Sequence, residues 1–214
     1  MKKRDIENKN ILVTGGAGQI GSKLCEALLD LEANVICFDN FSSGALDNIK
    51  HFLSHPNFKL IGGDIQDIEK CKKVIQGVDY VFHLARIDSN STAKSDGFTI
   101  NDANVVGFLN MLTVIQESNV KGMIYPASCS QSSSTLEVPK IEEVMQGKPL
   151  SAYIISKYTK ELYASLFRSE YGMQIKGVEF TSTLEKTTTT AVSNIIQLNM
   201  EALEGMLQSA YILA

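Results

Sequence analysis

Short apolar runs alternate with longer amphipathic stretches along the whole chain. The apolar runs at 10–14, 34–38, 58–62, 79–84, 121–126 and 174–180 predict strands. The stretches 19–32, 66–76, 98–118 and 151–171 place apolar residues at helical spacing and predict helices. The strands are nearly all apolar, as in Tyr80-Val81-Phe82, which suits burial on both faces. Strands alternating with helices imply parallel βαβ units, hence a doubly wound sheet in three α/β/α layers. The expected strand order is 3-2-1-4-5-6, with a ligand over the carboxyl ends where the order reverses.

Two stretches break the rhythm. Residues 127–150 form a long connection with a serine-rich start and two prolines, Pro139 and Pro149. Connections of that length are often functional. Thr187 to Thr190 is a polar, β-branched run that reads as a linker, and 191–212 reads as one more helix, with Val192, Ile195, Ile196, Leu203, Met206 and Leu207 at helical spacing. The chain divides on this reading into a main domain, 1–186, and a linker with a C-terminal helix, 187–214.

Composition narrows the class. The chain has 214 residues, 44% of them hydrophobic and 21% charged, as expected of a globular domain with a proper core. The net charge of −4 supplies no basic field for nucleic acid. After Met1-Lys2-Lys3-Arg4 the longest apolar run before Thr14 is the three residues Ile11-Leu12-Val13, so no signal-peptide core is predicted, and no apolar run reaches a membrane span. Cys25, Cys37, Cys71 and Cys129 are scattered, with no CxxC pair, which predicts reduced thiols and a cytoplasmic protein. His51 and His55 have the i, i+4 spacing of a helical metal pair, but no third ligand lies nearby, so no metal site is predicted.

Candidate chemistry begins at residues 14–21, Thr-Gly-Gly-Ala-Gly-Gln-Ile-Gly. Gly15, Gly18 and Gly21 follow a predicted strand and open a predicted helix, the context a dinucleotide fingerprint requires. Glycines allow a tight turn and close backbone approach to a pyrophosphate, and the helix start offers free N–H groups to the anion. A Rossmann-like domain is the expectation. The second strand ends at Asp39, eighteen residues past Gly21, where a carboxylate hydrogen-bonds the adenosine ribose hydroxyls. Asp39 would repel a 2′-phosphate, and no Lys or Arg lies between it and Ile49, so NAD is favoured over NADP. Asp64, after Gly62-Gly63, is placed to meet the adenine edge or to cap the next helix.

Tyr153 and Lys157 form a YxxxK pair on one face of the predicted helix after the fifth strand. A phenol with pKa near 10 is a weak base at neutral pH, but a neighbouring ammonium favours the phenolate. That phenolate could remove a hydroxyl proton while hydride leaves the same carbon.

Taken together, these stretches resemble the extended short-chain dehydrogenase/reductase family, the NAD-dependent sugar-nucleotide epimerases and dehydratases. The likeness is carried by Thr14-Gly15-Gly16-Ala17-Gly18 with Ile20-Gly21-Ser22, Asp39-Asn40-Phe41-Ser42-Ser43-Gly44, Gly63-Asp64-Ile65, Gly77 to Ala85, Asn104-Val105-Val106-Gly107, and Tyr153 with Ser156-Lys157. Gly107 to Leu112 and Gly147 to Ser151 carry a finer likeness to the UDP-N-acetylglucosamine 4-epimerase branch. The resemblance implies Tyr153 as base, Lys157 on the nicotinamide ribose, and Ser128, with Ser130 as fallback, at the substrate hydroxyl. It implies a cofactor cradle of Gly15, Gly18, Gln19, Ile20, Gly21, Asp39, Asn40, Ser42, Gly44, Asp64, Ile65, Leu84, Ala85 and Lys157, a UDP-sugar substrate, and a homodimer through helices 98–118 and 151–171. Val105, Phe108, Leu112, Leu162 and Leu166 are the apolar candidates for that interface.

Departures from the family pattern gather on the substrate side. Gln19 stands where an aromatic is usual, Arg86 where a second alanine follows His-Leu-Ala, Ser132-Ser133 for Tyr-Gly, and Glu179 to Ser182 for Arg-Tyr-Phe-Asn. The family's smaller, nucleotide-gripping domain is expected to be reduced to the C-terminal helix. The competing expectations are a UDP-sugar 4-epimerase, a non-catalytic NAD-binding sensor or partner subunit, and a truncated relative without turnover.

Overall fold

The computed structural model describes residues 6–87, 97–127, 151–179 and 189–212. Six strands form one parallel sheet: β1 (Asn10–Thr14), β2 (Asn34–Asp39), β3 (Phe58–Gly62), β4 (Tyr80–His83), β5 (Gly122–Ala127) and β6 (Ile175–Glu179). Their order, β3-β2-β1-β4-β5-β6, is the one predicted from the alternation. Alternation along β1 sends Ile11 and Val13 into one core and Leu12 into the other, so both faces are covered. The order reverses between β1 and β4, which opens a crevice at their carboxyl ends.

Among the described residues, five helices cover the sheet: α1 (Gln19–Asp30), α2 (Ile68–Val74), α3 (Gly97–Gln116), α4 (Ala152–Tyr171) and α5 (Thr189–Ile212). Helix α1 buries Leu24 and Leu28 against β1 and β2, and the same core takes Leu203 and Met206 of α5. Helices α2, α3 and α4 pack on the opposite face. Helix α3 is long and apolar enough to cross a membrane by length and composition, yet more than half of it is buried in this fold. Helix α4 starts where the Ser151 hydroxyl accepts from the Ile154 N–H at 3.3 Å. It stops at Gly172, whose φ of 63° is the left-handed cap a side chain would strain.

Three local features differ from the periodicity. The α3 region is not one regular helix: Asp102–Val106 winds as a π-helix between two α-helical pieces. A regular helical reading of 98–118 does not register such a turn, which shifts the helix face that follows it by about one residue. Helix α5 begins at Thr189, so Thr189 and Thr190 belong to the helix rather than to a linker. Threonine is disfavoured in helix interiors but tolerated in the first turn, where competing side-chain bonds do least harm. The stretch holding His51 and His55 forms short 3₁₀ turns (Leu46–Asn48 and Lys50–Phe52) and not a continuous helix.

Candidate dinucleotide and proton-transfer site

The turn from β1 into α1 is built so that only glycine fits. Gly15 has φ +70°, and a Cβ there would lie 2.7 Å from the Ala85 nitrogen. A Cβ on Gly21 would collide with the Gly15 carbonyl oxygen, where neither backbone can give way. Gly18 is the N-cap of α1, with no side-chain cap bond and no acidic residue in the first turn. The first N–H groups of the helix, at Gln19, Ile20 and Gly21, therefore have no intrahelical acceptor and face an anion-compatible end. This cradle fits a pyrophosphate.

Asp39 closes the turn from the side. Its Oδ2 accepts from the Ala17 N–H at 2.9 Å and its Oδ1 from the Phe41 N–H at 2.7 Å. The carboxylate is 6% exposed, so it organises the pocket as well as facing it. Residues 40–48 fold back over the glycine turn as a strap. Ala45 N–H and the Asn48 side chain both donate to the Ala17 carbonyl, at 3.0 and 2.7 Å. Gly44 is required here too, since a Cβ would lie 2.9 Å from Asp39 Oδ1. Ser42 N–H donates to Asn40 Oδ1 at 2.9 Å, and the Asn40 amide donates to Asp64 Oδ2 at 2.7 Å. Asp64 also takes the Gln66 N–H, and Ile65 is buried under Gly107. Thus the predicted adenosine residues Asp39, Asn40, Ser42, Gly44, Asp64 and Ile65 form one connected rim beside β2 and β3.

The other half of the crevice lies after β4. Leu84 N–H donates to the Thr14 carbonyl at 3.0 Å and Ala85 N–H to the Thr14 hydroxyl at 3.3 Å. Those bonds hold Leu84 and Ala85 against Gly15, at the reversal point. On α4, Lys157 Nζ lies 5.5 Å from the centre of the Tyr153 ring. The pair sits in the first turns of the helix, half-buried and on one side. Arg86 follows Ala85 directly and is half-buried. Ser128 and Ser130 lie outside the described residues, immediately beyond β5.

Asn104, in the π-helical turn, carries structure that its motif alone did not disclose. Its Oδ1 accepts from the Ile87 N–H at 2.8 Å and its Nδ2 donates to the Ile87 carbonyl at 2.9 Å. Nδ2 also lies 3.3 Å from the Ser156 hydroxyl, which donates to the Tyr153 carbonyl at 2.8 Å. One buried amide therefore ties the loop after β4 to the helix bearing Tyr153 and Lys157. Asn110 does similar work at the adenine end, donating to the carbonyls of Ile65 and Gln66. The signal for both was polarity at an otherwise apolar helix position.

The remaining ionisable residues sort away from this site. Cys25, Cys37 and Cys71 are free and buried, and burial pushes the Cys71 thiol up to about 12. Cys129 lies outside the described residues. His51 pairs with Glu26 at 3.7 Å, His55 accepts from the Asn57 N–H, and no group of three metal-capable side chains occurs among the described residues. Of the residues considered for a dimer face, Phe108 and Leu112 are buried in the core against the sheet, and Val105 is buried as well. Leu162 and Leu166 are exposed, at 44% and 45%, with Phe98, Val106 and Ile155 also outward. The helical stripe was read correctly as apolar, but it splits between two faces.

A βαβ glycine turn, an acid at the end of β2 and a Tyr-Lys pair across the crevice define a dinucleotide-dependent protein of the short-chain dehydrogenase type. The family model for the NAD dependent epimerase/dehydratase family matches residues 11–205, and the chain belongs to that family. It is 30% identical over 166 residues to a putative UDP-glucose 4-epimerase of Methanocaldococcus jannaschii, covering 77% of this chain and 52% of that protein. It is 42% identical over 106 residues to UDP-glucuronic acid decarboxylase 6 of Arabidopsis thaliana, covering 49% of this chain and 29% of that protein. Among solved structures, it resembles a UDP-N-acetylglucosamine 4-epimerase from Methanobrevibacter ruminantium in complex with UDP-N-acetylmuramic acid (TM-score 0.64, 30% identity, 79% of this chain and 53% of that one). It also resembles a Thermus thermophilus UDP-glucose 4-epimerase complexed with NAD (TM-score 0.62, 27% identity, 78% and 53%). The chain spans about half the length of the relatives it matches over most of its own length.

Proposed function

We propose that the chain acts as an NAD-dependent epimerase on a UDP-hexose, by transient oxidation at C4 of the sugar. NAD supplies a reversible hydride acceptor. The observation that carries the reading is the Tyr153–Lys157 pair on the helix that Asn104 ties to the cofactor loop. In this reading Tyr153 removes the C4 hydroxyl proton and later returns it. Lys157 holds the nicotinamide ribose and favours the phenolate by its charge. Ser128 orients the sugar hydroxyl. The α1 N-terminus binds the pyrophosphate through Gly15, Gly18, Gln19, Ile20 and Gly21, and Asp39 takes the ribose hydroxyls. Leu84 and Ala85 floor the nicotinamide, beside Lys157.

Arg86 favours a second substrate within the same reading, a UDP-hexuronate, whose carboxylate a half-buried guanidinium would recognise. The decarboxylase relative named above acts on such a sugar by its name. Incubation with NAD and either UDP-N-acetylglucosamine or UDP-glucuronate, followed by proton NMR of the sugar, tests both. C4 inversion is expected, abolished in Tyr153→Phe. An unchanged sugar, or inversion that survives Tyr153→Phe, overturns the reading. The exposed Phe98, Ile155, Leu162 and Leu166 support a homodimer through α3 and α4, and a purely monomeric species in light scattering would exclude it.

A further inference from the structure

The loop from β3 into α2 is held from three sides. Gly63 N–H donates to the Asp39 carbonyl at 2.9 Å, which ties the start of the loop to the end of β2. The Asn40 amide donates to Asp64 Oδ2 at 2.7 Å, and the Gln66 N–H to Asp64 Oδ1 at 2.9 Å. From α3, the Asn110 amide directs both of its hydrogens to the same loop, to the Ile65 carbonyl at 2.9 Å and to the Gln66 carbonyl at 3.0 Å. Gly107 lies one turn earlier on the same helix face. A Cβ there would collide with the Ile65 side chain, which is only 6% exposed, so the glycine seats the loop that the amide clamps.

The sequence allows Asp64 two roles, an adenine contact or the cap of α2. The structure gives the cap to Asp67, whose side chain accepts from the Lys70 N–H at 3.2 Å. That leaves the half-buried Asp64 carboxylate to the cofactor rim, beside Asn40 and Asp39. A carboxylate offers about four acceptor sites and no donor, and the bonds from Asn40 and Gln66 fill two of them. An adenine presents its 6-amino group as a donor, whereas a 6-oxopurine presents an acceptor at the same place and carries its donor on the neighbouring N1. A carboxylate able to slide along the purine edge would accept from either. One fixed in place accepts from the 6-amino group and repels the 6-oxo group.

We infer that Asn110 is a positioning residue for purine recognition: by clamping the Ile65 and Gln66 carbonyls from α3, it fixes Asp64 on the 6-amino group of the dinucleotide and so discriminates against 6-oxopurine dinucleotides. The inference rests on the NAD reading above and deepens it at the adenine end. Asn110 does not touch the cofactor; it acts through the loop.

The test is a comparison of affinities and needs no turnover. NAD and its 6-oxo analogue, nicotinamide hypoxanthine dinucleotide, are titrated calorimetrically into the wild type, Asn110→Leu and Asp64→Asn. A hydrogen bond to a charged acceptor changes affinity by about tenfold or more, so the wild type is expected to prefer NAD by roughly that factor. Asn110→Leu keeps most of the side-chain volume and removes both donors, and the preference is expected to fall by most of that factor. Asp64→Asn, whose amide can donate to a 6-oxo group, is expected to lower the preference as well. A merely structural asparagine would weaken both dinucleotides together and leave their ratio alone. An unchanged ratio in Asn110→Leu, or in Asn110→Ser if the leucine variant fails to fold, overturns the positioning role. An unchanged ratio in Asp64→Asn, or a wild type that binds the two alike, overturns the adenine contact and the inference with it. A wild type that binds neither dinucleotide overturns the NAD reading itself.

Discussion

Asn104→Ala should uncouple the cofactor loop from the Tyr153 helix. The side chain is 2% exposed and lies in three contacts: to the Ile87 N–H, to the Ile87 carbonyl, and to the Ser156 hydroxyl. Each such bond contributes about 1 kcal/mol net, and a donor left without a partner adds a further penalty, so the expected loss is roughly 3–4 kcal/mol. For a chain of this size each kcal/mol shifts the melting temperature by about 2–4 °C, which gives a drop on the order of 10 °C. Truncation also leaves a cavity, so a second variant separates the causes. Asn104→Leu refills most of the volume but restores no hydrogen bond. If the bonds matter, leucine melts about as low as alanine; if the cavity matters, leucine recovers most of the loss. The assay is thermal unfolding followed by circular dichroism, alongside NAD titration of the variants below their melting range. A drop smaller than ~2 °C in Asn104→Ala, or full recovery in Asn104→Leu, would refute the reasoning.

Two further outcomes follow from the same structure. Gly21→Ala pushes a Cβ into the Gly15 carbonyl and should abolish NAD-induced stabilisation, while Gly62→Ala, with nothing within 4 Å of the added methyl, should melt like the wild type and keep it. His83 should make stability depend on pH: its folded value, about 3, lies below the ordinary 6.5, so the unfolded chain binds the extra proton and the contribution present above pH 6.5 is lost as pH falls toward 3. Between pH 6.5 and 5 that loss amounts to about 2 kcal/mol, and His83→Gln should flatten the melting curve across that interval.

The cofactor half of the site was legible in the chain because backbone geometry limits its residues. Gly15, Gly21 and Gly44 each stand where a Cβ meets backbone or a buried carboxylate, and no other residue type meets that demand. Asp39 was legible for a related reason, since the end of β2 brings it to the same crevice whatever the helices do. Strand order followed from the alternation alone. The outward positions of α3 were not legible, because the π-helical turn rotates the face that follows it. Val105 and Phe108 look equivalent to Leu162 in a hydropathy pattern, yet they are buried and Leu162 is not. The link made by Asn104 was hidden for another reason: its partner is the backbone of Ile87, which no side-chain motif can name.

The π-helical turn and the glycine turn solve one problem from two sides. A dinucleotide across the reversal point needs two independent pieces of chain held at fixed separation: the α1 N-terminus, and the Tyr-Lys face of α4. The first is fixed by glycines packed against Ala85. The second is reached through Ile87, only two residues further along the same loop, by way of Asn104 and Ser156. Widening α3 by a π turn brings a buried amide to the loop and the helix at once, which a regular helix with a strict apolar stripe would not favour. The short segment Leu84 to Ile87 is thus the common reference for both halves. Arg86 sits inside that segment, next to Ile87, whose backbone the Asn104 amide holds on both sides.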